Sequence, residues 1–398
     1  MRLEGRAYSP AVLEQIVTAG GAINSYEAAA VLLGSLAELE ISARHVNNLT
    51  AMVGSELQQV CLEQTEAYRA RPLPQQATRV EAPPSLACVA VDGGRMQTRR
   101  PDCGRGVHNA SWRETKNAGF FRMKTATFAD DPHPELPRCF TDCRHMASLL
   151  EGLQDDAEPE PTGAATGDPW RPQVLFRTCV SSLTDSDSFG WMMAAEADRR
   201  GFFAAEKRAF LGDGQKYNWM IHQARFSTFE PILDFIHPLE YLYPAARAAC
   251  VDETAAWQTF QDWARLCWQG KVVDVVATLD QRLHERGPPP ENADENDPRA
   301  VLARARTYLV NNQSRMDYPR YRREGLPITS CLIESLIKEV NYRVKGTEKF
   351  WNDGRQGEVI LHVRAALLSH DDRLTRHLRA RPGSPFARPR EVTASTAA

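Results

Sequence analysis

The sequence predicts an α/β fold: a layered core of strands and helices, preceded by a helical N-terminal region and interrupted by a second long helical stretch. Three observations predict it. From residue 9 to about residue 70, Ala, Leu and Glu dominate and apolar residues recur every three or four positions, the period of an amphipathic helix. Beyond a Pro-rich stretch near 71–85 the period shortens, and two compact apolar runs, LACVAVDGG and KRAFLGDG, each end in Asp-Gly. Helical patterns alternate with these runs, as a sheet with helices on its faces requires.

In chain order, Ser25 is placed to cap a helix through SYEAAAVLLGSL, and Ser42 a second through SARHVNNLTAMVGSELQQVCLEQ. The pattern alone reads as an ordinary helical hairpin. Read as a helix-turn-helix, it sets Arg44, His45, Asn47 and Asn48 at the start of the second helix, where base-reading side chains lie. This helical region is assigned to residues 1–75. LACVAVDGG is a buried strand whose end opens into a loop at its two glycines, and WRETKNAGFFRMKTATF reads as two strands joined by a turn at Asn117-Ala118-Gly119. Residues 151–172 read as a loop, since Glu151 to Asp168 holds six acids and no base. SFGWMMAAEADRRGF and QKYNWMIHQARF are helices on either side of KRAFLGDG, and STFEPILDFIHP is a further strand. From Leu239 to about Tyr308 the pattern is helical, broken by ERGPPPENADENDP at 285–298. Two more helices are expected, from an N-cap at Ser330 through Arg343 and from Gln356 to Ser369. The strand-bearing part is therefore placed at 76–239, a helical segment at 240–325, closing helices at 326–372 and a disordered basic tail at 373–398.

With 398 residues, 42% hydrophobic and 25% charged, the chain has the composition of an ordinary globular protein of two or three domains. No apolar run approaches the roughly 18 residues of a membrane span, and MRLEGRAYSP lacks the apolar core of a signal peptide, so a cytoplasmic location is expected. Nine cysteines, an odd number at irregular spacing, point to reduced thiols. The net charge of −3 hides an uneven distribution. Arg299 to Arg390 carries 19 Lys and Arg against 9 Asp and Glu, whereas Cys250 to Pro298 carries 4 against 10. The basic C-terminal third reads either as a solvated face or as a surface for phosphates.

The chemistry is carried by acids. Asp92 in AVDGG and Asp213 in LGDGQ stand at strand ends in near-identical settings, where ligands of open α/β sheets bind. A third acid, Glu334, begins a helix among Leu332, Ile333, Leu336 and Ile337, with Lys338 one turn on. Three carboxylates without His or Cys partners form a hard, oxygen-only donor set, suited to two Mg²⁺ or Mn²⁺ ions and to phosphoryl transfer.

On these residues the chain resembles the insertion-sequence DDE transposases of the ISKra type. The resemblance rests on the Asp92 block, on WRETK at 112–116, and on DGQKYNW with Trp219 six residues after Asp213. Its most specific part is RMDYPRYRREGLPITSCLIESLIKEVNYRVKGTEKFW, with Gly325, Pro327, Ile328, Ser330, Glu334-Ser335, Arg343, Lys345 and Trp351. It covers about residues 8–370. It implies a ribonuclease-H-like catalytic core with Asp92 and Asp213 on adjacent strands and Glu334 on a following helix. The 121 positions separating Asp213 from Glu334 then imply a helical insertion at about 240–325. The implied activity is metal-dependent cleavage of DNA at the element's ends and strand transfer to target DNA, by a homo-oligomer in the DNA complex. Two departures accompany it: members carry zinc-ribbon-like cysteine pairs before the region matching YSPAVLEQIV, and Cys331 stands where a glycine-like residue is usual. A related nuclease or integrase, and a shortened, inactive DNA-binding form, are the alternative readings.

Further residues have two readings each. Arg320, Arg322, Arg323, Lys338, Arg343 and Lys345 cluster in sequence around Glu334 and are expected at phosphates. Trp112, Glu114 and Lys116 share one strand face by period two, as accessory contacts to DNA or metal or as a surface alternation. Trp219 and Ser335 are placed as accessory to the acids. Trp257, Trp263 and Trp268 are expected in the helical core, and Cys139, Asp142, Cys143 and His145 as unliganded loop residues, their spacing fitting no common zinc site.

Overall fold

A computed structural model describes residues 8–72, 82–99, 111–142, 146, 171–329, 331–345 and 350–381, apart from the side chains of Cys331, Leu332 and Glu334. Three helices open the chain: α1 (Pro10–Ala22), α2 (Tyr26–Ala37) and α3 (Ala43–Arg69). Each begins on a serine whose hydroxyl accepts a hydrogen bond from an otherwise unsatisfied first-turn amide: Ser9 from Val12, Ser25 from Ala28 at 3.0 Å, and Ser42 from His45. The two caps expected at Ser25 and Ser42 are both present.

Five strands follow: β1 (Leu86–Gln97), β2 (Trp112–Lys124), β3 (Gln173–Ser182), β4 (Lys207–Gly212) and β5 (Glu230–Leu233). They form one sheet in the order β3-β2-β1-β4-β5, antiparallel across the first three and parallel from β1 through β5. Two strand readings are corrected. Asn117-Ala118-Gly119 is no turn but the buried middle of one strand, with Gly119 paired to Ala90 and Cys179. The glycine is there for closeness: a Cβ on it would lie 2.6 Å from the Phe121 ring. Likewise β1 does not end at Asp92 but runs on through both glycines to Gln97, paired there with β2 and no longer with β4. Strand β3 escaped the sequence reading, because its buried residues Thr178 to Ser182 mix polar and apolar types.

Alternation along β1 divides the core. Ala87, Val89 and Val91 pack with Phe120 and Phe210 against α4 (Ser186–Arg199), α5 (Lys216–Arg225) and Tyr68 of α3. Leu86, Cys88 and Ala90 pack with Leu211 and Ile232 on the other face. There they meet α6 (Ile236–Ala249), α7 (Glu253–Trp268), α8 (Val272–Arg286), α9 (Pro298–Asn312) and α10 (Tyr318–Glu324). The helical segment expected at 240–325 thus shares its core with the sheet, and Trp263 and Trp268 are buried in it as expected.

The chain closes with α11 (Cys331–Val344), α12 (Gly354–Leu368) and α13 (Arg373–Ala380). The last of these corrects the expected tail: Leu374 and Leu378 are buried with Leu13, Val17 and Val53 of α1 and α3. The N-terminal helices and the closing helices therefore form one cluster. Among the described residues no helix is long and apolar enough to cross a membrane.

Two expected phosphate contacts are structural. Arg322 is wholly buried: its guanidinium donates to Asp131 (Nε to Oδ1, 2.8 Å) and to the Trp268 carbonyl at 3.0 Å, and lies 4.3 Å from the Trp268 ring centre. Arg343 is 3% exposed and donates to the Gly20 carbonyl in the last turn of α1 at 2.9 Å, over the Tyr26 ring. Arg364 similarly donates to the Gly21 carbonyl. Both arginines satisfy carbonyls that a helix end leaves without intrahelical partners.

Burial pushes the Asp131 carboxyl up, but hydrogen bonds from Arg322 and the His133 amide outweigh it and hold the group below its ordinary value of 3.8. Its contribution is therefore present above that value and lost as pH falls through the depressed one. Arg322→Ala should destabilise the chain by about 3–5 kcal/mol, because it leaves a part-buried carboxylate unpaired. Urea unfolding checks this, and adding Asp131→Asn to the variant should recover part of the loss.

Candidate active site at the sheet end

Parallel pairing sets Val91 opposite Gly212, so the next residues, Asp92 and Asp213, stand side by side where β1 parts from β4. Ala90 and Leu211, two residues earlier, face the core beneath α6–α11, and period two directs Asp92 to that same side. Both acids are half-buried. Asp92 Oδ1 accepts from the Gly93 amide at 2.6 Å. Asp213 Oδ1 accepts from the Gln215 amide at 2.9 Å and from Asn218 Nδ2 at 2.8 Å, anchored at the start of α5. Tyr308 of α9 donates to the Asp213 carbonyl at 2.7 Å and stacks on Tyr241, ring centres 3.9 Å apart. Gly214 fits beneath that tyrosine with φ of +92°, a conformation that only glycine adopts readily.

A third parallel strand ends the same way. Asp234 follows β5, is fully buried, donates its amide to the Gly212 carbonyl at 3.1 Å and accepts from the Ile236 amide at 2.9 Å. Three residues on, His237 Nδ1 lies 3.2 Å from Glu240 Oε1. Burial pushes this imidazole down, but the Glu240 hydrogen bond and the charges of Asp234, Glu240 and Asp92 raise it well above its ordinary value. Asp234, His237, Glu240, Tyr217 and Tyr308 went unread in the sequence. The signal was present in ILDFIHP, where an aspartate again closes an apolar strand.

On the opposite face of β1 and β2, register pairs Gly93 with Lys116, Arg95 with Glu114 and Gln97 with Trp112. Lys116 is buried and lies 3.2 Å from Glu114 Oε2, with its ammonium 5.7 Å from the Tyr217 ring centre. Trp112 is 40% exposed between Arg95, 5.1 Å from its ring centre, and Lys345, at 5.9 Å. The shared face expected of Trp112, Glu114 and Lys116 is present, and it is not the face of Asp92.

Helix α11 lies along β1 and β2. A Cβ on Gly119 would stand 3.2 Å from Leu336, and one on Gly94 would stand 3.5 Å from Asn341 Oδ1. Glu334 is on this helix, and its side chain lies outside what the structure describes, as do Ser330, Cys143 and His145. Among the described residues no group of three His, Cys, Asp or Glu side chains is placed to hold a metal ion. Ser335 is exposed, and Trp219 packs its ring at Gly212 with Arg315 4.4 Å from its centre.

Of the residues expected at DNA, Arg44, Asn48 and Lys338 are exposed, and Asn47, Arg323 and Lys345 are half-buried. Arg320 is engaged by Glu230, Asp317 and Glu324, at 2.5, 3.2 and 3.4 Å. With Arg322, Arg343 and Arg364 interior, the basic excess of the C-terminal third is partly structural.

The chain matches no protein-family model and no curated protein sequence.

The two glycines after Asp92 differ in what they tolerate. A Cβ on Gly94 would lie 2.6 Å from Thr115 Oγ1 and 3.1 Å from Asn117 Nδ2, whereas one on Gly93 meets nothing nearer than Tyr217 Oη at 3.5 Å. Gly94→Ala should cost about 1–3 kcal/mol by overpacking, and Gly93→Ala about 0.5 kcal/mol or less. Equal unfolding midpoints for the two variants would contradict this account of the strand.

Proposed function

We propose that the chain is a DDE-type DNA transposase that cleaves and joins strands by metal-dependent phosphoryl transfer, on a ribonuclease-H-like core with a helical insertion at about 240–325. The observation that carries the reading is the placement of Asp92 and Asp213 side by side where the parallel pairing of β1 and β4 stops, on the face along which α11, the helix of Glu334, lies. That is the placement the family resemblance calls for. The donor set fits a hard divalent cation, since both described acids offer carboxylate oxygen at a half-exposed sheet edge. Asp92, Asp213 and Glu334 are the residues that would hold Mg²⁺ or Mn²⁺, which when bound supply activation of the attacking oxygen and neutralisation of the leaving one. The chain's own part is to keep these oxygens in register: the Gln215 amide and Asn218 fix Asp213, and Gly93 fixes Asp92.

DNA is the proposed partner, with a homo-oligomer forming on it in the cytoplasm. Arg44, Asn47 and Asn48, on the outer side of the first turns of α3, are proposed to read element ends. Arg323, Lys338 and Lys345 are the remaining proposed phosphate contacts.

Changing Asp92 or Asp213 to Asn, or Glu334 to Gln, should each abolish cleavage of a donor carrying the native ends. The losses should be non-additive, because groups that act as one unit fail together. Metal-free DNA binding should survive in all three. Near wild-type cleavage by Glu334→Gln would sink the triad and favour a nuclease using other acids, with Asp234 the first to test.

Replacing Arg44, Asn47 and Asn48 together should weaken binding to element ends far more than binding to unrelated DNA. An unchanged footprint on the ends would leave the hairpin a purely structural element.

A further inference from the structure

Tyr217 stands in the first turn of α5, four residues after Asp213, and reaches back across the sheet end to Gly93. Its hydroxyl is buried and, among the described residues, no group meets it in good hydrogen-bond geometry, although the Asn218 side chain lies close enough to interact with it. Two neighbouring groups are engaged elsewhere: Asn218 Nδ2 donates to Asp213, and Glu114 is paired with Lys116. The next two residues repeat the pattern, with Asn218 Oδ1 and Trp219 Nε1 also buried and unpartnered. An orphaned buried polar atom costs roughly 1–3 kcal/mol. Buried polar atoms in this state, beside the acids where β1 parts from β4, leave hydrogen-bonding capacity for an external partner.

Resting on the transposase reading, we propose that Tyr217 Oη donates a hydrogen bond to a non-bridging oxygen of the phosphodiester under attack, with the Lys116 ammonium as the adjacent cation. The geometry gives each face of the sheet end its own task. Asp92 projects toward α6–α11, the side on which the transposase reading puts the cations, and Gly93 toward Tyr217 and Lys116. The bare glycine leaves space beside the buried hydroxyl: a Cβ there would sit 3.5 Å from Oη and 3.7 Å from Glu114 Oε1. A phenol is the fitting donor beside carboxylates. It is protonated at neutral pH, so it offers a hydrogen to a phosphate oxygen without adding a charge that competes for the acids. Lys116, 10% exposed and held by Glu114, supplies the positive potential that a diester anion needs at this edge.

The test compares Tyr217→Phe and Asp92→Asn with the wild-type protein. Strand cleavage in Mn²⁺, melting temperature, and affinity for a fluorescent single-stranded oligonucleotide in Ca²⁺ are measured for each. Tyr217→Phe should cleave on the order of 10²-fold more slowly, the loss typical of one oxyanion donor. It should melt no lower than wild type, since it removes an unsatisfied group. A lowered melting temperature with unchanged cleavage would make the hydroxyl structural and overturn the proposal. Unchanged cleavage and melting would overturn it too, assigning the hydroxyl an ordered water. In both cases loss of cleavage in Asp92→Asn keeps the transposase reading standing. If Asp92→Asn cleaves normally, that reading fails and the proposal with it. If the wild-type protein cleaves no DNA tried, the Ca²⁺-dependent affinity decides. A loss in both variants, about tenfold in Tyr217→Phe, supports the phosphate contact, and its absence in wild type overturns reading and proposal together.

Discussion

The parallel pairing of β1 with β4 is the constraint on which the rest depends. With Val91 opposite Gly212, two aspartates separated by 121 positions in sequence become neighbours at one sheet edge. A slip of one residue would turn Asp92 to the other face, away from α6–α11. Several features guard the register. Gly119 and Gly94 admit ring and amide groups that a Cβ would exclude, and the Asp234 amide extends the ladder one step past the end of β5. Burial of β1 on both faces holds it centrally, with Ala87, Val89 and Val91 on one side and Leu86, Cys88 and Ala90 on the other.

The N-terminal helices are tied to this core from the far end of the chain. Arg343 and Arg364 reach the last carbonyls of α1 from α11 and α12, and Leu374 and Leu378 of α13 bury against α1 and α3. A hairpin proposed to read DNA is thereby joined to the helix that bears Glu334. The same arginines show why charge counted along a sequence misleads. A guanidinium that fills helix-end carbonyls or pairs with Asp131 looks, in the sequence alone, no different from one that meets phosphate.

Legibility followed the strength of local signals. The serine caps, the helical periods and the strand-then-acid runs are local, and α1–α3, β4, α5 and the helices of 236–312 stand where they read. Asn117-Ala118-Gly119 and Asp92-Gly93-Gly94 misled because glycine has two uses. It turns chains, but it also lets a neighbour approach closely, and only the neighbour reveals which applies. Strand β3 was hidden for a related reason: its inner residues, Thr178, Cys179, Val180, Ser181 and Ser182, are as much polar as apolar, and their hydrogen bonds reach Asn117, Glu358 and Ser369. Such partners lie more than sixty positions away and leave no periodic trace.

The acid end also shows what stability such a site gives up. Asp213 and Asp234 follow the ends of β4 and β5, Asp92 stands where β1 parts from β4, and like charges this near repel one another. The fold offsets part of that cost. Asp213 takes the Gln215 amide at the positive end of α5, Asp234 takes the Ile236 amide at the start of α6, and Asp92 takes Gly93. Burial opposes the charge on His237, but Glu240, Asp234 and Asp92 raise its pKa well above the ordinary value and so favour a positive charge near them. These compensations are local to each acid. A chain selected for stability alone would have little reason to place two half-buried carboxylates and a buried phenol together where two central strands part. Local rules broken at one place, inside a core that otherwise obeys them, are the mark of a working site.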